Sequence, residues 1–374
     1  MRTRSSEVIH VVNQMRPGGI ETMVYDLARL SRIKSRVFSL ESATGDLVAG
    51  WQKLSTLGTL LEGFEKPPGL APALVLRLAK RFRALKPSAV FLHRTSPLLY
   101  GGLAARIAGV PNIVHVEHDV WQYADPRRLK LLKWSTRMVQ PRHFAVSAEI
   151  ANALERMLPS RRASVVPGGV DLERFCQRPR EASRAALGLP LDKSVIGSVG
   201  RLEKVKGHRV LVSAMPHLAA EVHVAIVGDG SQRESLLQLA QELGVQERLH
   251  LLGHRDDVEH FVSALDVFCL PSLGEGLPRV VMEAQGADVP VVASDVGSVR
   301  QVVDEETGHL VPADDPVALA NAITARLASP PAPGACRAYA EAHFSIERMV
   351  AMYDRVADNI VDAVETRHPS GCAT

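Results

Sequence analysis

Cysteine is scarce in this 374-residue sequence, and the four cysteines stand far apart. None of them forms a Cys-x-x-Cys pair or stands at a zinc-ligand spacing from histidine, so the sequence predicts neither a disulfide framework nor a structural zinc site. The compartment that this cysteine usage favours is a reducing cytoplasm. The four residues are Cys176, Cys269, Cys336 and Cys372.

Long apolar runs and the Asp-x-Asp motif are also missing. No stretch reaches the roughly 18 uninterrupted apolar residues that a membrane helix needs, and the apolar run that follows the N-terminal basic residues is too short for a signal peptide core. No Asp-x-Asp occurs, so a metal-bridged diphosphate is not predicted. The content of 46% hydrophobic and 23% charged residues is that of a globular protein. From the missing apolar runs and the missing Asp-x-Asp, we expect that it neither spans a bilayer nor requires a metal.

The net charge of +3 conceals an asymmetry along the chain. Residues 1–175 carry 26 Lys/Arg against 14 Asp/Glu, whereas the remainder carries 18 against 27. Much of the basic excess lies in residues 77–86 and 125–143, where cations alternate with Leu, Phe, Trp and Met at helical spacing. Two interpretations stay open, a face that lies on anionic lipid headgroups and a pair of solvated helix faces. Nucleic acid is not a predicted partner, because no nucleic-acid-binding motif accompanies these stretches.

Short β-branched runs alternate with helical patterns along the whole chain, which is typical of parallel sheets joined by right-handed crossovers. A stretch rich in proline and glycine, residues 164–175, interrupts the alternation before it restarts. A chain of this length also exceeds the size of one ordinary hydrophobic core. We therefore predict an α/β protein with two Rossmann-like, doubly wound parallel-sheet domains, residues 1–168 and 169–349, facing a cleft at their strand carboxyl ends.

The C-terminal segment has apolar residues at helical spacing and predicts a helix over about 350–366 that crosses back to the first domain. Asp354, Asp358 and Asp362 follow each other at four-residue spacing. We expect this acidic row to be a solvated face and not a metal site.

The segment "GEGLPRVVMEAQG", residues 274–286, places two glutamates, Glu275 and Glu283, on either side of a Leu-Pro step. A carboxylate does not bind phosphate, but it accepts hydrogen bonds from hydroxyl groups, and one carboxylate can take both hydroxyls of a vicinal diol. The two glutamates therefore indicate a ligand with sugar hydroxyls.

The same segment also predicts an anion site. Pro278 fits the first position of a helix over about 278–285, because its missing N–H is not needed there. The unpaired N–H groups and the positive dipole end of that helix would lie near Gly276 and Leu277. The ligand is therefore expected to carry phosphate as well as sugar.

Cations suited to a diphosphate stand earlier in this half. Arg201 ends a predicted strand in "VGRLEKVKGH", and Lys206 and Gly207 open the next helix. Gly228 in "VGDGS" allows the backbone to approach a ligand closely. Each of these residues also has an ordinary structural explanation. Arg201 can be a charge at a strand end, Gly228 can belong to a plain turn, and Glu283 can form an ion pair with Arg279 four residues earlier on the helix. Their order at successive strand ends is what indicates a binding site.

Together with "LGHRDDV" and residues 289–316, these segments resemble the retaining glycosyltransferases of family 4, which have the two-Rossmann GT-B fold. The resemblance extends over nearly the whole chain and is densest over 196–316. It implies that Arg201 and Lys206 bind the diphosphate of a nucleotide-sugar donor and stabilise the leaving-group charge. Glu275 would contact the hydroxyls of the donor sugar.

The resemblance assigns further contacts in both halves. Glu283 would bind the ribose hydroxyls, and the N–H groups near Gly276 and Leu277 would meet the distal phosphate. Gly18 and Gly19 follow the first predicted strand and resemble the family's glycine-rich loop, although a plain strand-helix turn explains them equally well.

A histidine often lines the reaction centre in this family, and His118 in "VEHDVW" is the candidate here, with a purely structural histidine as the alternative. Glu117 and Asp119 are candidates for acceptor contacts. The residues expected to act in catalysis are His118, Arg201, Lys206 and Glu275.

The predicted activity is a retaining, metal-independent hexosyl transfer without a cofactor. A UDP-sugar is the favoured donor and GDP-mannose the second choice, and the expected acceptor is a saccharide or lipid-linked saccharide in cell-surface polysaccharide synthesis, at the cytoplasmic face of the membrane. Two alternatives stay open: a sugar-nucleotide epimerase of the same architecture and a catalytically silent sugar-nucleotide-binding protein. The sequence departs from the family at Gly168, where asparagine is common, and at Gln285 and Asp288, where small residues are typical.

Overall fold

The computed structural model describes residues 7–357, and these divide into two compact units. The first unit contains the described residues up to Gly168 together with those from Glu347 onward, and the second is Gly169–Ile346. Part of the predicted C-terminal helix, with Asp358 and Asp362, lies outside the described residues, as does Cys372. Over the range 7–357, none of the helices has both the length and the apolar character needed to cross a bilayer.

The first unit is built on a seven-stranded parallel sheet with the strand order β3-β2-β1-β4-β5-β6-β7. Its central strands are buried on both faces, as is usual when helices cover both sides of a parallel sheet. The strands are β1 (Glu7–Val12), β2 (Lys34–Ser39), β3 (Leu61–Gly63), β4 (Ala89–His93), β5 (Asn112–Glu117), β6 (Arg142–Ala145) and β7 (Ala163–Val165). The helices are α1 (Gly19–Leu30), α2 (Thr44–Gly50), α3 (Pro72–Leu85), α4 (Thr95–Ala108), α5 (Pro126–Val139) and α6 (Ala148–Met157).

The second unit is built on a six-stranded parallel sheet with the strand order β10-β9-β8-β11-β12-β13. Its strands are β8 (Ser194–Val199), β9 (Val222–Val227), β10 (Leu249–Gly253), β11 (Val267–Leu270), β12 (Val291–Ser294) and β13 (Gly308–Val311). Its helices are α7 (Arg180–Leu187), α8 (His208–Ala214), α9 (Arg233–Glu242), α10 (Val258–Ser263), α11 (Arg279–Gly286), α12 (Pro316–Ala328) and α13 (Ala335–His343). A last helix, α14 (Ile346–Ala357), begins at the unit boundary and belongs to the first unit from Glu347 onward.

The core of the second unit lies on both faces of its sheet because side chains alternate along each strand. In β11, Phe268 and Leu270 join one buried cluster, while Val267 and Cys269 join the other. Cys269 is fully buried, and burial raises the pKa of its thiol. A short apolar strand thus supplies both layers, which explains why such strands appear in the sequence as continuous apolar runs.

The structure confirms the predicted pair of Rossmann-like parallel sheets and the return of the C-terminal helix to the first unit. The prediction of a solvated acidic row is wrong at Asp354, which is buried. Its carboxylate accepts a hydrogen bond from the Ser31 hydroxyl at 2.5 Å and lies 3.5 Å from Nε of Arg32. Both partners follow α1, so Asp354 ties α14 to the end of that helix.

Candidate functional site

The candidate donor site lies at the carboxyl-end edge of the second sheet. β8 pairs with β9 on one side and with β11 on the other, so the order of strands reverses at β8. Loops that leave the two sides of such a reversal diverge and leave room for a ligand. The predicted residues Arg201, Gly228 and Glu275 stand in the loops after β8, β9 and β11, in that order.

Glycines allow these loops to pack backbone against backbone. A Cβ on Gly228 would lie 2.0 Å from the carbonyl oxygen of Gly200, and one on Gly207 would lie 1.9 Å from that of Pro271. One on Gly297, after β12, would lie 2.0 Å from the carbonyl oxygen of Glu275. All three glycines have positive φ, of 141°, 63° and 52° respectively. No other residue type fits these positions without moving a loop.

Lys206 and Glu275 form an ion pair inside this set of loops. Lys206 Nζ lies 2.7 Å from Glu275 Oε1, and the Ser272 hydroxyl donates to the same oxygen at 2.6 Å. The carboxylate side chain is 8% exposed and the lysine side chain 25% exposed. The ammonium therefore compensates the charge of a nearly buried carboxylate, and only one of its three N–H donors is needed for this bond.

The remaining predicted cation, Arg201, is exposed just beyond β8. Its charge contributes to the lowered pKa of Glu203, although the larger cause there is hydrogen bonding from the hydroxyl and amide of Ser231. Within residues 7–357, no hydrogen bond engages the guanidinium of Arg201. This side chain is therefore open to an incoming anion.

Helix α11 begins one residue later than the sequence predicts, with Pro278 as its N-cap. Over the described chain, no hydrogen bond uses the amide N–H of Gly276 or Leu277, so both N–H groups are available to a ligand. Glu283 is 8% exposed on the second turn, and its Oε1 lies 4.0 Å from Nε of Arg279. The structure thus contains the Arg279–Glu283 ion pair, which is the structural alternative to ligand binding by Glu283.

In the first unit, the glycine-rich loop leads directly into α1. Gly18 is the N-cap in an extended conformation without a side-chain cap, and Gly19 is the first helical residue. A Cβ on Gly19 would meet no atom within 4 Å. A Cβ on Gly18, in contrast, would lie 2.6 Å from a carboxylate oxygen of Glu21, so this acidic side chain lies over the start of α1.

His118 follows β5 and is 8% exposed. Its Nε2 lies 3.0 Å from Nδ1 of His93, at the end of β4. Burial, with a smaller contribution from the positive charge of Arg94, lowers the pKa of His118 to about 3. The imidazole is therefore neutral at physiological pH.

Glu117 and Asp119 lie inside the fold on either side of His118. Glu117 is fully buried and accepts hydrogen bonds from the Tyr123 hydroxyl and, at 3.1 Å, from the His118 amide. Asp119 pairs with Arg94 at 2.5 Å, and Arg94 has the unusual φ of 76° for a residue with a side chain. Both carboxylates thus stabilise the loop that carries His118, and the expectation that Glu117 contacts the acceptor is not supported.

Comparison with known proteins places the chain in a family. A family model described as glycosyl transferases group 1 matches residues 179–343, and one described as glycosyltransferase family 4 matches residues 17–174. EpsF of Bacillus subtilis is 30% identical over 82% of this chain and 83% of its own length. The chain belongs to glycosyltransferase family 4.

Further relatives of this family 4 glycosyltransferase include an Escherichia coli enzyme named UDP-Gal:α-D-GlcNAc-diphosphoundecaprenol α-1,3-galactosyltransferase. It is 30% identical over 67% of this chain and 68% of its own length. Among solved structures, Anabaena HepE in complex with UDP and glucose superposes with a TM-score of 0.84 at 21% identity, covering 94% of this chain and 99% of HepE. The lipopolysaccharide glycosyltransferase WaaG superposes with a TM-score of 0.65 at 17% identity, covering 95% and 100%. These likenesses show the GT-B fold.

Several residues of the site are not marked by the sequence. Ser272 holds Glu275, Gly207 and Gly297 hold the loops, and Arg94 and Tyr123 hold the loop of His118. The only sequence signal for the positive φ of Gly207 and Gly297 is that both residues are glycines between polar segments. Side-chain partners distant in sequence, such as Arg94 for Asp119, leave no local signal.

We predict that Glu117 makes stability pH-dependent. Burial raises its pKa to about 7, above the ordinary value of 4.5. Between those values the folded protein holds a proton that the unfolded chain has lost, so this contribution to stability is present at low pH and declines as pH rises through 7. Glu117→Gln mimics the protonated carboxyl and removes this decline.

The measurement is urea unfolding of the wild type and Glu117→Gln at pH 5, 6, 7 and 8. Because the buried histidines are common to both proteins, the difference isolates Glu117. The variant should gain up to about 3 kcal/mol relative to the wild type across this range. A difference that stays constant with pH would show that Glu117 titrates normally.

Proposed function

We propose that this protein is a retaining glycosyltransferase that moves a hexosyl unit from a nucleotide-diphosphate sugar, with UDP as the favoured nucleotide, to a saccharide or lipid-linked acceptor. The observation that carries the proposal is the Lys206–Glu275 pair, held among glycine-packed loops at the strand reversal of the second unit. A cation beside a carboxylate matches a ligand in which a diphosphate adjoins a hydroxylated sugar. Two relatives, the Escherichia coli galactosyltransferase and TuaC of Bacillus subtilis, which is named for teichuronic acid biosynthesis, support cell-surface polysaccharide as the product class.

The donor is proposed to bind through charge and hydrogen-bond geometry without a metal. Arg201 offers a planar fork to the diphosphate, and Lys206 offers the donors that Glu275 leaves unused. The amides of Gly276 and Leu277 add neutral donors at the positive end of α11. Glu275 and Glu283 accept from sugar and ribose hydroxyls, in the roles that the family resemblance implies.

The proposed transfer step is the front-face mechanism that the family resemblance implies. The bond between the anomeric carbon and the diphosphate oxygen breaks, and a bond from the acceptor oxygen to that carbon forms on the same face of the sugar. The acceptor proton passes to the departing phosphate oxygen, so the products are the nucleoside diphosphate and a glycoside of retained configuration. Arg201 and Lys206 stabilise the negative charge that grows on the leaving group. In well-studied enzymes, one preorganised hydrogen-bond donor lowers the activation free energy by about 3–4 kcal/mol.

The acceptor side is proposed to lie on the first unit, at a membrane surface. Helix α5 presents what we call its basic apolar face, in which cations surround apolar side chains that are exposed to solvent. Trp134 and Met138 are 48% and 51% exposed there. The face comprises Arg127, Lys130, Leu131, Lys133, Trp134, Arg137 and Met138. Cations suit anionic headgroups, and the apolar side chains suit the boundary with acyl chains.

The activity test is incubation of the protein with UDP-, GDP- and ADP-sugars, followed by product analysis and by thermal unfolding with each nucleotide. Transfer or slow hydrolysis of a UDP-sugar, with the anomeric configuration kept, is the expected result. At 100 times its dissociation constant, the correct nucleotide should stabilise the native state by about 2.7 kcal/mol. Inverted product, an epimerised donor, or binding without turnover would each contradict the proposal.

Two variants separate binding from turnover. We expect Glu283→Ala to weaken UDP binding about tenfold or more, because hydrogen bonds to a charged group contribute about 1.5–3 kcal/mol. Lys206→Ala should mainly lower kcat, since its charge matters most when the leaving group ionises. Calorimetric titration with UDP and steady-state kinetics measure the two effects, with the exposed Glu242→Ala on α9 as the control. Wild-type affinity and kcat in both variants would show that the donor lies elsewhere.

We also predict that the protein binds vesicles only when they contain anionic lipid, and that binding weakens with salt because screening shortens the range of charge attraction to about 3 Å at 1 M. Replacing Lys133 and Trp134 together by serine should lower the partition coefficient about tenfold, since each basic residue contributes about 1 kcal/mol at an anionic surface. Vesicle sedimentation is the measurement. Leu191→Ser, which changes a residue of the second unit that is 57% exposed, is the control. Equal binding to neutral vesicles would contradict the role of the cations.

A further inference from the structure

Three buried histidines of the first unit form a continuous hydrogen-bonded row. His10 Nδ1 lies 3.1 Å from His93 Nε2, and His93 Nδ1 lies 3.0 Å from His118 Nε2. They come from β1, from the end of β4 and from the residue after β5, and they are 1%, 2% and 8% exposed. We call them the histidine row.

Aromatic packing fixes the far end of the row. The ring of His10 stacks on Phe91 with centroids 4.9 Å apart and lies 6.0 Å from the ring of Tyr353 on α14. His10 is paired in register with Phe91, and His93 follows two residues later on the same strand, so the three share one face of the sheet. His10 and His93 therefore have little freedom to rotate, and the row constrains the ring of His118.

All three rings are neutral at physiological pH. Burial lowers the pKa of His10 and of His118 to about 3, and burial followed by the charges of neighbouring histidines lowers that of His93 well below its ordinary value. A neutral imidazole carries one N–H and one acceptor nitrogen. Each hydrogen bond of the row needs one proton, so the donors must all point the same way along it.

This restriction links the two ends of the row. If the protons point toward His118, its Nε2 accepts from His93 and its own N–H lies on Nδ1. If they point toward His10, His118 donates from Nε2 and its Nδ1 is a bare acceptor. In neither case is the tautomer of His118 independent of His93, because reversing one bond requires reversing the other.

We propose that His93, backed by His10, is a positioning residue that holds the ring of His118 in one orientation and ties its tautomer to that of His93, so that the row sets the hydrogen-bonding role that His118 Nδ1 presents to the sugar or phosphate groups of the substrate. This inference rests on the proposed function of His118 but adds two residues to which neither the resemblance nor the comparisons assign a role. In histidine-dependent sites, removing the group that orients the imidazole costs at least about tenfold in activity.

The test begins with spectroscopy, which does not depend on activity. In protein labelled with ¹⁵N-histidine, long-range ¹H–¹⁵N spectra report the tautomer of each ring, and His118→Gln identifies the His118 signals. In the wild type, His10, His93 and His118 should all show the same tautomer, because either proton arrangement of the row requires it. His93→Phe keeps an aromatic ring but removes both hydrogen bonds, and it should shift the ¹⁵N signals of His118 toward the average of two tautomers.

Kinetics supply the second readout. His93→Phe should lower kcat at least tenfold with the KM for the donor unchanged, and His93→Asn, whose amide can stand near the position of Nδ1, should recover part of the loss. His143→Phe is the matched control, because His143 is equally buried, bonds to His115 at 3.1 Å and lies on the opposite face of the sheet. It should leave both the His118 signals and kcat unchanged.

The outcomes distinguish the inference from the proposed function. If His118→Gln lowers kcat while His93→Phe leaves the ¹⁵N signals of His118 and kcat at their wild-type values, the positioning role is overturned and the function stands. If His118→Gln turns over like the wild type, the assigned role of His118 fails, whatever the spectra show. Should His93→Phe not fold, His93→Leu, which also removes both hydrogen bonds, decides by the same spectra.

Discussion

The close approach of loop backbones at the carboxyl-end edge of the second sheet is the constraint on which the donor site depends. Gly207 sets the loop after β8 against Pro271, and Gly297 sets the loop after β12 against Glu275. With these contacts in place, Lys206 and Glu275 meet at 2.7 Å, although 69 residues separate them in the chain. A methyl group at either glycine would separate the loops and, with them, the cation and the carboxylate.

The ion pair gives the site a defined charge state before any ligand arrives. A carboxylate with an 8% exposed side chain is costly unless it is paired, and Lys206 together with Ser272 satisfies it. The same lysine retains donors for an anion, so the arrangement is preorganised for a diphosphate beside a hydroxylated sugar. The guanidinium of Arg201 is exposed and makes no hydrogen bond within the described chain, so its charge is free to move to the ligand.

The first unit buries several titratable side chains around His118. Burial keeps the histidine row neutral and raises the pKa of Glu117 to about 7, so hydrogen bonds between neutral rings hold His118 on one side. Arg94 and Asp119 form the adjacent charged pair. Two contacts thus hold the loop that carries His118. His93, at the end of β4, bonds to His118 itself, and Tyr123, which follows β5, bonds to Glu117.

The sequence by itself determined the two parallel-sheet units and the strand ends at which Arg201, Gly228 and Glu275 stand, because strand alternation and glycine turns are local patterns. It also indicated the helix that begins at Pro278, to within one residue. Only the tertiary structure decided that Lys206 contacts Glu275, that Asp354 is buried against α1, and that His118 continues a row from His10 and His93. Those contacts join residues that are 25 to several hundred positions apart. Local patterns place residues at strand ends, but they do not say which side chains of different loops and strands touch, because those contacts depend on the packing of the whole fold.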